Sequence, residues 1–508
     1  MISVGRRPRA GFFVAAFVAA FVAVFFAVGA ILPGDGRALA YDPATTHAGL
    51  TERAALASKL NRVLTARLGK PLGLFETIVL DSRQMQTSEA RYLGARLSSL
   101  DPEQGYRPGD DGGATALGWV VAGSVVAGTP AERGRNTFFD PSRKTGLHDG
   151  GGAAEVAHSL RLLMDAGGSP RGLATGTGFS FSGPPATEWL VSRDNDVGLP
   201  AFYDQLEKAV SGAEPAARST ALARALLALG GTLAVLEDAG EPAHVRNDFQ
   251  QAFLQMHQGS PFDRSSAFER YVAEAYGRAG VPAPTELIDR PNVFAFISAA
   301  DAQGLADRTQ RRFFSPGSLP ADAVVERDTT TRDVVAQARD GLPYEKPGIP
   351  RLELRDMGRV RYVETSDGAG EERKRRLLAY ERVPGRVRFF LDRSVYQDSA
   401  RVLLPEIGGY AAGLIDHLFR GELALTIADS ALSIKVTGAR GALRAAKIYL
   451  FAENSQGRRW QFAAQDVGNP GEISVGTSLP ADARRVAAVL RGEDDAGPFV
   501  ALVDRSVR

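Results

Sequence analysis

The chain has no cysteine anywhere in its 508 residues. That absence removes disulfide bridges, thiolate metal sites, cysteine nucleophiles and a lipoprotein anchor together. Nor is there a surplus of charge. Sixty basic side chains stand against 59 acidic ones, a formal net charge of +1, so no global field draws the protein to nucleic acid or to an anionic membrane. No serine sits in a nucleophile-elbow context, which disfavours serine-hydrolase chemistry. The Gly/Ser/Pro-rich excursion from Gly167 to Pro185 contains GTGFSFSG, which matches neither a phosphate-cradling fingerprint nor G-x-S-x-G and reads as a surface loop.

What is present starts with an export segment. Arg6, Arg7 and Arg9 form a basic region, Gly11 to Leu32 carries no charge, and Ala38-Leu39-Ala40 supplies the small-x-small pattern of a signal-peptidase site. Cleavage there makes Tyr41 the new terminus. The apolar run is also long enough to span a bilayer, so residues 11–32 could instead remain as a membrane anchor. Both readings place the bulk of the protein outside the cytoplasm, as a secreted, periplasmic or membrane-anchored chain.

At this length two or three domains are expected. Residues 41–342 read as Ala/Leu-rich helices. Leu50, Ala54, Leu60, Leu64 and Leu68 mark one amphipathic helix, and Ser88 to Leu97, Ala114 to Gly128, Pro200 to Ala209 and Pro215 to Leu236 mark others. Residues 343–420 read as a small β insertion and a connector, with strands at Gly358 to Thr365, Arg376 to Arg382 and Gly385 to Asp392. From Gly421 to Arg508 seven short candidate strands are separated by turn residues such as Gly468-Asn469-Pro470-Gly471, the pattern of an all-β, immunoglobulin-like sandwich.

The helical part is organised around TLAVLEDAGEPAHVRNDF, from Thr232 to Phe249. It brings three metal-ligand candidates, Asp238, His244 and Asp248, into one short span. His244 and Asp248 are four residues apart, so a helix starting at Pro242 would project both from one face. The plain alternative for each carboxylate is a helix cap or an ion-pair partner.

The phrase L-x-x-x-E-D-x-x-x-P-x-H, holding D-x5-H from Asp238 to His244, resembles the core motif of the zinc-dependent phospholipase C and single-strand nuclease superfamily, H-x-x-x-D-x5-H. Ala234 stands where the first histidine belongs. The resemblance implies a mainly α-helical domain, zinc as cofactor, and hydrolysis of a phospholipid or other phosphodiester. It also implies ligand roles. The amine and carbonyl of Tyr41 with His47 would share one zinc with Asp238, and His244 would serve another with help from Asp248 or Glu269. For the remaining zinc, Gly128, Thr137 and Ala234 occupy three expected ligand positions and none can bind it. His257 could assist from a loop, and Ser265 stands four residues before Glu269 where a further histidine is expected. The implied protein is therefore a phospholipase C-like or nuclease-like chain with a depleted zinc site, with weak or absent hydrolysis and a binding role in the cell envelope. The alternative is an active zinc-dependent phosphodiester hydrolase working with one or two metals. Specific nucleic-acid binding is not indicated.

Overall fold

The computed structural model describes residues 43–129, 131–148, 182–248, 266–320, 323–324, 353–357, 360–366, 374–383, 386–428, 431–475 and 478–507. The export segment, Tyr41, His257 and Ser265 lie outside the described residues.

The amino-terminal part is helical, and its axis is the 24-residue helix Pro215–Asp238. This helix is apolar nearly all round. It has the length and composition of a membrane span, yet 89% of its most apolar window is buried inside the protein. A helix without a polar face belongs in a core. Its close neighbour is Ala116–Ala127, whose Trp119 is fully buried and donates its indole N–H to the Ile78 carbonyl at 2.8 Å. Glycine lets the two backbones touch: a Cβ on Gly230 would collide with the Val120 carbonyl oxygen, and one on Gly123 with that of Leu227. Leu199–Ser211 and Ala48–Ala57 complete the layer around the axis, and their apolar side chains join one continuous core.

The amphipathic run from Leu50 to Leu68 is two helices, Ala48–Ala57 and Leu60–Arg67. Ser58 breaks them with an extended ψ of 176°, and the Lys59 amide donates to the Asp416 carboxylate at 2.6 Å. Asp416 belongs to a second long helix, Arg393–Leu418, capped by Asp392, whose side chain accepts from the Val395 amide. Although this helix lies in the stretch expected to be a connector, its Leu403, Leu404, Ile407, Leu414 and Ile415 are buried in the same core as the amino-terminal helices. An extended strap crosses it where Gly409 and Gly413 leave room, with the Ile288 amide donating to the Gly409 carbonyl at 3.1 Å.

The strands are β1 (Thr77–Val79), β2 (Gly113–Thr115), β3 (Ala323–Val324), β4 (Glu353–Met357), β5 (Val360–Ser366), β6 (Lys374–Val383), β7 (Arg386–Phe390), β8 (Glu422–Ala428), β9 (Ala431–Thr437), β10 (Arg444–Glu453), β11 (Arg459–Val467), β12 (Gly471–Val475), β13 (Arg485–Asp494) and β14 (Gly497–Ser506). β3 to β7 form a five-stranded sheet in the order β3-β7-β6-β5-β4. The carboxyl-terminal part is β structure. Its seven described strands match the expected number and form two antiparallel sheets, β11-β10-β13-β14 and β12-β9-β8. Alternate residues of both sheets, among them Leu425, Ile434, Ile448, Leu490 and Ala501, share one apolar cluster. The opposite face of the four-stranded sheet joins the helical core through Phe451, Ala487, Val489, Val500 and Leu502. Arginines rim this junction. Arg67 donates to the Phe419 and Gly421 carbonyls, and Arg420 pairs with the fully buried Asp494 at 2.7 Å.

Candidate functional site

The last two residues of the central helix, Glu237 and Asp238, reach the same histidine. His47 lies one residue before the helix Ala48–Ala57, which packs beside the end of the central helix. His47 Nδ1 is 2.6 Å from Glu237 Oε2, and Nε2 is 3.1 Å from Asp238 Oδ1. Thr51, one turn beyond His47 on the same helix face, donates its hydroxyl to the other Glu237 oxygen at 2.7 Å. Asp238 Oδ1 is buried against the His47 ring as its ion-pair partner.

A tight turn follows. Glu241 caps the single-turn helix Pro242–Val245, its Oε2 accepting from the His244 amide at 2.9 Å and its Oε1 from the Ser266 hydroxyl at 2.8 Å. Phe138 stacks on the His244 ring with centroids 4.0 Å apart and planes 11° from parallel. Thr137 Oγ1 lies 3.3 Å from His244 Nδ1, and Glu269 Oε1 lies 3.9 Å from Nε2 without a hydrogen-bond partner of its own. The other Glu269 oxygen closes a capping box with Ser266 at the start of the helix Ala267–Tyr276.

Four carboxylates and two imidazoles, each no more than 2% exposed, thus sit together. Burial penalises charge, and here charge of one sign is crowded as well. Burial alone would lower the His47 pKa; the Asp238 and Glu237 carboxylates outweigh it and hold the group at about 10. Burial raises the Glu237 carboxyl, partly offset by His47. Burial also raises Glu241, and it pushes Glu269 well above the usual carboxylate range with the neighbouring Glu241 charge adding to it. Such a cluster attracts protons or a cation.

The single helical face expected to carry His244 and Asp248 does not extend to Asp248. The helix at Pro242 stops after one turn because Asn247 adopts a left-handed φ of 51°, which carries Asp248 out of the helical path. Asp248 Oδ2 instead accepts from the Gly317 amide at 2.6 Å. His47 and Asp238, which lie far apart in sequence, come together, as do His244 and Glu269. Gly128, Thr137 and Ala234 line one small cavity together with His47 and Asp238. His47 Nε2 and Asp238 Oδ1 face each other as an ion pair while Glu237 backs the other ring nitrogen, so a metal ion could bind there only by displacing the His47 proton. Among the described residues no group of three His, Asp or Glu side chains could hold a metal by itself. A cluster of ions therefore does not fit these side chains.

Glu237, Glu241, Thr51 and Ser266 were not among the expected site residues. Glu237 and Glu241 stand inside the central phrase, and Ser266-x-x-Glu269 is a helix-start signature legible from sequence. Thr51 has no such signal beyond its four-residue spacing from His47.

No family model matches this chain, and no curated protein matches it. Among solved structures it is similar to the alpha-toxin of Clostridium perfringens isolated from avian strain SWCP, at 9% sequence identity and a TM-score of 0.16, over 92% of this chain and 99% of that one. A score at that level carries no argument about function.

Proposed function

We propose that this is an exported, phospholipase C-like or nuclease-like protein whose zinc site is reduced to one ion, and that it binds a phospholipid or other phosphodiester in the cell envelope with little or no turnover. The observation that carries the reading is the cavity in which His47 and Asp238 face Gly128, Thr137 and Ala234. Two side chains with metal-binding atoms line it beside three positions that offer none. His47, Asp238 and the amine and carbonyl of Tyr41 would hold the ion. A bound zinc supplies Lewis acidity toward a phosphate oxygen. Among the described lining residues there are no further ligands for a second ion to stabilise both the attacking and the leaving oxygen. His244 and Glu269 form a second half-site, closed off by Phe138 and the Ser266 cap. In this reading the two carboxyl-terminal sheets pack as an immunoglobulin-like sandwich that spaces or binds.

The test is elemental analysis and a phosphodiesterase assay on the protein recovered from outside the cytoplasm. The expected outcome is an amino terminus at Tyr41 and about one zinc per chain, lost in Asp238→Asn and in His47→Ala. Turnover of bis(p-nitrophenyl) phosphate and of phosphatidylcholine should stay near background. A chain without zinc after growth in zinc-replete medium would make the helical part a metal-free scaffold. Rapid cleavage by a fully loaded cluster would instead establish the active zinc hydrolase and overturn the reading of depletion.

A further inference from the structure

We propose that the guanidiniums of Arg96 and Arg133 form a fork for a phosphate ester anion beside the cavity, and that Asp196 fills this fork from within the chain, its carboxylate standing where the phosphate binds. The site deepens the phosphodiester reading above and rests on it for the class of ligand.

Arg96 comes from the helix Thr87–Ser98 and Arg133 from the 3-10 turn Ala131–Thr137. Arg96 Nη1 lies 2.6 Å from Asp196 Oδ2, and Arg133 Nη1 lies 2.7 Å from Oδ1, so two cations share one carboxylate. Both arginines are at least nine-tenths buried, whereas the carboxylate is 41% exposed. Two buried positive charges against one negative charge leave a surplus that favours a further anion. Burial lowers the Arg96 pKa, Asp196 opposes the shift, and the Arg133 charge adds to it. The Nε of each arginine has no hydrogen-bond partner. The pair thus holds donors in reserve for an anion with more oxygens than a carboxylate, and guanidinium forks match phosphate in shape.

The cations are anchored and the carboxylate is not. Arg96 Nη2 donates to the Val126 carbonyl at 2.6 Å, and its guanidinium lies 5.3 Å from the centre of the Tyr92 ring. Arg133 Nη2 donates to the Asn195 side chain at 2.8 Å and lies 5.2 Å from the Trp189 ring. Among the described residues the Asp196 carboxylate bonds only these two arginines, from the loop between the helices Ala186–Val191 and Leu199–Ser211. It can turn out to water while the fork keeps its shape, which is the preorganisation that a ligand site needs. Asn195 and Trp189, which hold Arg133, both line the cavity, as does Gly134 next to it in sequence. A phosphate seated in the fork therefore adjoins the cavity.

Phosphorus-31 titration of the full chain with dimethyl phosphate, beside thermal unfolding with and without inorganic phosphate, tests the fork. Asp196→Asn should bind dimethyl phosphate about tenfold tighter than the wild type or more, because an internal anion that fills a site weakens binding by the fraction of molecules in which the site is open. The same variant should melt below the wild type and gain more from added phosphate. Arg133→Met should lose binding, and Arg133→Lys, which keeps the charge without the fork, should restore it only in part. Asp196 is half-exposed, so its variant decides the matter even where an arginine variant does not fold. Phosphatidylglycerol vesicles that bind in the same order of variants identify a lipid headgroup as the source of the phosphate; vesicles that do not bind identify a soluble phosphodiester. Dimethyl phosphate that binds equally to the wild type, Asp196→Asn and Arg133→Met overturns the fork and leaves the phosphodiester reading standing. Dimethyl phosphate that binds none of them overturns both.

Discussion

His417 provides the sharpest stability prediction. It lies in the last turn of Arg393–Leu418, 2% exposed, with its ring edge-on to Phe296 at 5.5 Å and neither ring nitrogen hydrogen-bonded. Burial, reinforced by Arg420 and Arg440 and only partly countered by Asp289 and Asp494, lowers its pKa to about 4. In the unfolded chain it returns to about 6.5. Between these values the unfolded state binds the proton and the folded state does not, so folding is favoured fully above pH 6.5 and progressively less as pH falls toward 4. The linkage amounts to roughly 2.5 kcal/mol of stability lost between pH 7.5 and pH 4.5. His417→Leu removes that dependence. At pH 7.5 it also relieves two unpaired buried nitrogens, worth about 1–3 kcal/mol, against a ring-ring contact worth about 0.5–1.5 kcal/mol. The variant should therefore match or exceed the wild type at pH 7.5 and exceed it clearly at pH 4.5. The assay is urea unfolding of both proteins at the two pH values, read as the difference of differences, in which every other titrating group cancels. A difference within about 0.5 kcal/mol of zero, the scatter expected for uncoupled sites, refutes the argument that His417 is neutral and unpaired in the fold.

Gly230→Ala should destabilise by about 1–3 kcal/mol or more, because the new Cβ meets the Val120 carbonyl between two tightly packed helices. Gly94→Ala, with nothing near the added atom on an exposed helix face, should instead stabilise by about 0.5–1 kcal/mol, and chemical denaturation of both variants checks the contrast. Arg420→Met removes the charge partner of the fully buried Asp494 carboxylate, which keeps only the Arg440 and Ala496 amides, and should cost about 3 kcal/mol. A small loss for Arg420→Met in urea unfolding would show that the Arg440 and Ala496 amides suffice to hold the Asp494 carboxylate.

Periodicity alone exposed the long elements. The Ala/Leu run before Asp238 could only be a buried helix, and the alternation after Gly421 could only be strands with one face hidden, because burial on one side imposes those periods on the sequence. The break at Ser58 escaped that reading, since the apolar spacing from Leu50 to Leu68 continues across it and the chain is turned by Asp416, more than 300 residues away. Arg393–Leu418 was equally ambiguous in sequence, and its place in the helical core follows from packing against Ala48–Ala57.

For the site, the chain order of residues determined the chemistry on offer: Glu237 and Asp238 adjacent at a helix end, Pro242 starting the next turn and His244 behind it. Only the tertiary structure decided which of these meet. Asp248 accepts from the Gly317 amide because the left-handed backbone at Asn247 ends the helical path before it. Glu237 entered the site because His47 and Thr51 pack over it and bond both of its oxygens. Local spacing governs contacts within a turn or two of helix, whereas the convergence of residues 47 and 238 depends on how two helices dock, which no short stretch of either one encodes.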